Sequence, residues 1–85
     1  MKMYYVIGGQ YEAYNYGETN TLVGAKRMAT RNEEYWDNWQ GWHKPAVYEA
    51  DDCEKKVNFY GEQMLPKVGV VPVSVWVDGK WEDRK

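Results

Sequence analysis

The sequence predicts an α+β fold: a small, mainly antiparallel β-sheet, one main α-helix packed on one face, and a C-terminal β-hairpin. Three stretches carry that expectation. "VVPVSVWVDGKWE" alternates Val71, Val73, Val75 and Val77 against Ser74 and Trp76, then offers the two-residue turn Asp78-Gly79 before Lys80-Trp81-Glu82. "TNTLVGAKRMATRN" sets Leu22, Ala25, Met28 and Ala29 on one helical face. "MKMYYVIGG" opens with the β-formers Tyr4, Tyr5, Val6 and Ile7.

In chain order, Gly8-Gly9 ends or kinks the first strand. "QYEAYNYGE" then reads as a second strand pairing back on the first, or as its continuation past a glycine bulge. Thr19 or Thr21 can cap the helix, placed at Thr21–Thr30, because a hydroxyl there accepts from an orphan N–H of the first turn. Lys26, Arg27 and Arg31 lie toward its C-terminal half, where cations suit the macrodipole, and Asn32 is a fitting stop. Gly24 weakens the helix and makes sense where something packs closely against it. The small alanines imply close packing on a sheet.

"EYWDNWQGWHKP" follows. Tyr35, Trp39 and Trp42 form one helical stripe, with Trp36 a little off it, so a short helical turn over Glu33 to Gln40 is expected, stopped by Gly41. Pro45 forces His43-Lys44 into an extended path. Ala46–Ala50 then reads as a short strand. In "DDCEKKVNFYGEQMLPKVG", Asp51 or Asp52 could cap a short helix, Val57-Tyr60 could equally be a strand, and Pro66 and Gly69 mark a loop. Pro72 points to a sheet edge or a strand start. The expected sheet comprises the N-terminal strand or strands, the Ala46–Ala50 strand and the C-terminal hairpin, in an order the pattern does not specify.

At 85 residues, 44% hydrophobic and 28% charged, the chain reads as one small domain, 1-85, rather than a disordered segment. A net charge of −2, with dispersed basic residues, argues against direct nucleic-acid binding. Cys53 is the only cysteine, so no internal disulfide staples the fold. No apolar stretch approaches membrane-spanning length, and no basic-flanked apolar leader is present. A cytoplasmic setting without membrane contact is the expectation.

No catalytic constellation emerges. His43 is the only histidine, and no His or Cys spacing matches a metal motif, so neither a metal nor a cofactor is expected. Cys53 reads as a small, partly buried hydrophobe. The candidate binding residues are Trp36, Asp37, Trp39, Trp42 and His43, with Asp51 and Asp52 in an acidic cluster that includes Glu49 and Glu54. With only Leu22, Leu65 and Ile7 as large branched aliphatics besides the valines, at least one or two of the three tryptophans are expected in the core. The rest form an aromatic rim able to anchor a protein or stack on a sugar.

The segments "YYVIGG", "GAKRMATRNEEYWDNWQGWHKPAVYEADDC" and "FYGEQMLP" resemble small accessory proteins carried by phages and prophages of Gram-positive bacteria. That resemblance implies a protein that acts by binding, and anti-CRISPR inhibitors are one such class. The expected function is therefore a non-catalytic protein-binding module with a protein partner. A small-ligand or carbohydrate binder using the Trp36/Trp39/Trp42 cluster is the alternative. A small enzyme with a site around His43, formed between subunits of a homo-oligomer, is the second alternative.

Overall fold

The computed structural model describes residues 2–9, 12–31, 43–77 and 79–84, and of His43 the backbone only. It has the α+β architecture expected. The strands are β1 (Tyr4–Gly9), β2 (Tyr14–Thr19), β3 (His43–Glu49), β4 (Cys53–Asn58), β5 (Gly61–Pro66), β6 (Ser74–Val77) and β7 (Lys80–Asp83). The helix α1 is Leu22–Arg31, and a 3-10 turn occupies Ala50–Asp52. A five-stranded sheet runs β2-β1-β3-β6-β7, and β4-β5 form a separate two-stranded sheet. Every pairing is antiparallel.

Of the two N-terminal readings, the hairpin is the one adopted. Gly9 has φ 124°, a conformation that side chains other than glycine's rarely take, and a Cβ there would collide with the Glu12 carbonyl. The chain thus turns back and pairs Gly8 with Tyr14. A register shift between Val6 and Ile7 skips Tyr16 on the β2 side, and Tyr16 packs against the core.

Thr21 caps α1 as expected: its Oγ1 accepts from the Gly24 N–H at 3.0 Å. Val6, Ala25, Ala29 and Val47 form the buried centre, with Tyr4, Tyr16, Leu22, Met28 and Trp81 packed around it. The helix meets the sheet through methyl groups, which lets the two backbones approach. The glycine of closest helix–sheet approach is Gly17, where an added Cβ would lie 3.0 Å from Met28 Sδ. Gly24 is confined instead mainly by its own cap, with Thr21 Oγ1 2.9 Å from a Cβ placed there.

The structure corrects three boundaries. The central strand runs His43–Glu49 rather than Ala46–Ala50. Pro45, fully buried, sits where the β1–β3 register shifts, the place in a sheet where a missing N–H is tolerated. β6 begins at Ser74, not Val71, because Pro72 cannot donate to a ladder; Val73 still donates its N–H to the Val47 carbonyl at 2.7 Å. The segment after Glu49 is no capped helix. Ala50–Asp52 is one 3-10 turn without a side-chain cap, and Cys53–Pro66 is a full hairpin. The turn Glu33 to Gln40 and the stop at Asn32 lie outside the described residues.

Candidate functional site

The sequence-derived site divides along β3. His43 opens the strand opposite Gly9, whereas Asp51 and Asp52 follow its other end. The six steps from His43 to Glu49 span about 20 Å of extended chain. The two carboxylates are therefore not beside His43. Trp36, Asp37, Trp39 and Trp42 lie outside the described residues.

Around Asp51, lysines stand among the carboxylates. Lys2 Nζ pairs with Glu49 Oε1 at 3.1 Å, and that bond and charge raise the lysine's pKa. Lys67 donates its N–H to the Asp52 carbonyl and its Nζ to the Asp51 carbonyl, at 2.8 and 3.2 Å. Glu54 stands 3.8 Å from Lys56 Nζ. An open cavity of about 330 Å³ is lined by Lys2, Met3, Glu49, Ala50 and Asp51. With Lys2, Lys56 and Lys67 beside Glu49, Glu54, Asp51 and Asp52, this end of the sheet carries charges of both signs.

The described residues show a different concentration of exposed apolar area at the β4–β5 turn. Phe59 is 78% exposed, Val57 77% and Tyr14 39%. The Tyr14 and Phe59 rings are linked through Tyr60. Tyr14 meets Tyr16 and Tyr60 edge-on, each at 5.2 Å between centroids, and Tyr60 meets Phe59 edge-on at 5.5 Å. Such edge-to-face contacts are favourable arrangements for aromatic pairs. The result is a continuous row of rings running from the partly buried Tyr16 out to Phe59.

Amide side chains hold this row in place. The Asn15 N–H donates to Gln63 Oε1 at 2.8 Å, and Asn15 Nδ2 donates to the Met64 carbonyl at 2.8 Å. Asn58 Nδ2 donates to the Ala13 carbonyl at 2.7 Å, and Asn58 Oδ1 accepts from the Tyr60 N–H and from Gln63 Nε2. The Phe59 N–H donates to Glu12. Three amides thus bridge the hairpin to β2 and to Ala13 just before it, in place of a backbone ladder. Asn58, itself bonded by Gln63, and Glu12 also hold the turn that carries Phe59 and Tyr60.

Sequence reasoning missed this site. The available signal was "NFYG", with asparagine at the first corner of a turn and glycine at the last; Gly61 adopts φ 99°.

Cys53 is buried, with Sγ 3.7 Å from the Glu49 carbonyl. Burial pushes its thiol up to about 11, and the charge of Asp52 adds to this against smaller opposing effects of Lys67 and Lys56. A nucleophilic cysteine needs the opposite shift. Among the described residues no group of three His, Cys, Asp or Glu side chains could hold a metal ion, and no helix is long and apolar enough to cross a membrane.

The chain matches no protein-family model, no curated protein and no solved structure, so the reading of the site rests on its own geometry.

Proposed function

We propose that this chain is a protein-binding module and that the row Tyr14, Tyr60 and Phe59, with Val57, is a contact surface. One observation carries the reading. Phe59 is 78% exposed, yet its turn is held by the Asn58 amide, which Gln63 bonds in turn, and by Glu12. An aromatic side chain on a pre-ordered turn loses little entropy when a partner covers it, which is how interface anchors work. The resemblance to phage and prophage accessory proteins makes an inhibitor of a host protein, such as an anti-CRISPR, the form this binding would take.

A sugar-binding reading of the same row is less well supported. Carbohydrate sites need free amides beside the stacking ring, and here the amides of Asn15, Asn58 and Gln63 are already bonded to the protein itself.

A photo-crosslinking residue at Phe59 tests the proposal in extract of a Gram-positive host. Discrete protein adducts at Phe59, absent when the probe sits at the exposed Val23 of α1, are expected. Equal labelling from both positions would count against the surface.

A further inference from the structure

We propose that the outer edge of β7 pairs with β7 of a second copy of this chain, joining two five-stranded sheets across a two-fold axis at Trp81. Among the described residues β7 is the last strand of its sheet, and no other strand lies along its outer side. The opposite edge, β2, is already bridged to β5 through Asn15 and Gln63.

The hydrogen-bond alternation of β7 is fixed by its inner neighbour. The Arg84 N–H donates to the Val73 carbonyl at 2.8 Å. In an antiparallel pair such bonded positions recur every second residue. Glu82 opposite Val75 and Lys80 opposite Val77 therefore bond inward to β6. The N–H and C=O groups of Trp81 and Asp83 point outward, the pattern that accepts a further strand.

Charge selects both the partner and the register. With the axis at Trp81, each Lys80 lies opposite Glu82 of the second copy on one face of the joined sheet, and the two Trp81 side chains meet on the other. The two Trp81 residues exchange both backbone bonds. Moving the axis to Lys80, Glu82 or Asp83 sets identical charges directly opposite one another, which is unfavourable. At the centre of β4, the other outer strand, an axis at Glu54, Lys55 or Lys56 does the same. "KWED" is thus self-complementary in one register.

The test is a concentration series of the full chain in analytical ultracentrifugation, with amide hydrogen exchange read alongside. The mass should double on approaching roughly millimolar concentration, the range of weak interfaces, and the Trp81 and Asp83 amides should slow as it does. Lys80→Glu and Glu82→Lys should each abolish the dimer, with the fold checked by circular dichroism. The double variant Lys80→Glu/Glu82→Lys, which restores opposite charges across the axis, should recover it. A wild-type chain that stays monomeric overturns the proposal, as does a dimer that survives both single reversals. So does slowing confined to amides away from β7. Protection of Trp81 and Asp83 only when another protein is added would assign the edge to a foreign strand instead. The exchange measurement needs no variant and so decides the matter even where a reversal fails to fold.

Discussion

Asn15 and Gln63 join the two sheets of this protein through a main-chain to side-chain bond: the Asn15 N–H on the edge strand donates to the Gln63 side-chain oxygen at 2.8 Å. The Asn15 side chain returns a bond to the Met64 carbonyl, and its Oδ1 accepts from the Gly17 N–H. A side chain on β5 thus occupies the position that a neighbouring strand would take. Gln63→Ala should leave the Asn15 N–H without this partner in a partly buried setting, at a cost of about 1–3 kcal/mol. Asn15→Ala should cost a similar amount. In a double-mutant cycle the two should be less than additive, because they break one network. Additive losses in urea unfolding would show that the amides act independently.

The helix contact is tested by Ala25→Glu. Ala25 is fully buried against Val6, Ala29 and Val47. A glutamate there both overpacks the contact and buries a charge, so destabilisation of several kcal/mol is expected, on the order of 3 kcal/mol or more. Thermal unfolding of the variant should start well below that of the parent.

Cys53 should be inert to thiol reagents in the folded protein near neutral pH, reacting only as the chain unfolds. Its folded pKa of about 11 lies above the ordinary value of 9.0, so the protonated thiol favours the fold. That contribution is complete below the ordinary value and is lost as pH rises toward about 11. Cys53→Ser should therefore remove part of the alkaline decline in stability. Rapid modification of the native protein at neutral pH would contradict the burial argument.

Asp83 works at the other end of the pH scale. Ser74 Oγ donates to Asp83 Oδ1 at 2.8 Å, and Lys26 Nζ pairs with the same oxygen at 3.1 Å. These bonds, the serine's first, lower the carboxyl's pKa below its ordinary 3.8. The stabilisation is present above that value and is lost as pH falls through the folded pKa. Asp83→Asn should lower stability slightly in the neutral region and leave it unchanged below the folded pKa, so the acid limb flattens; the change is small because the charge is exposed and screened. An unaltered acid limb would show that the Lys26 and Ser74 contacts contribute nothing to the fold.

What was legible in the sequence follows from which forces set each element. The membership of the five-stranded sheet was readable because Val6, Val47 and Val73 bury apolar surface and leave a periodic trace. The helix was readable for the same reason through Ala25 and Ala29. The β4–β5 hairpin was not. Glu54, Lys55 and Val57 are exposed along β4, so charge and apolarity do not alternate, and its docking depends on Asn15, Asn58 and Gln63 bonding to backbone groups distant in the chain. Periodicity records burial; it carries no mark of an amide–backbone bridge across some forty or more residues. For the candidate site, Asp51 and Asp52 are adjacent in sequence to a strand whose extended length then carries them away from His43.

The last prediction separates two candidate contact surfaces. Phe59 is exposed and meets Tyr60 edge-on, so Phe59→Ala should cost no more than about 1 kcal/mol, the scale of a single aromatic pair. If the aromatic row anchors a partner, the same change should weaken binding by about 2 kcal/mol or more, some thirtyfold in Kd. The tryptophan stretch calls for the opposite comparison. A Trp36→Ala, Trp39→Ala or Trp42→Ala variant of a core residue should lose about 3–5 kcal/mol of stability, while one of a rim residue should stay folded and bind less well. Calorimetric binding by all four variants, with unfolding curves measured in parallel, places each residue on one side or the other. Undiminished binding by Phe59→Ala, together with folded but binding-defective tryptophan variants, would move the contact surface from the β4–β5 turn to the Trp36–His43 stretch.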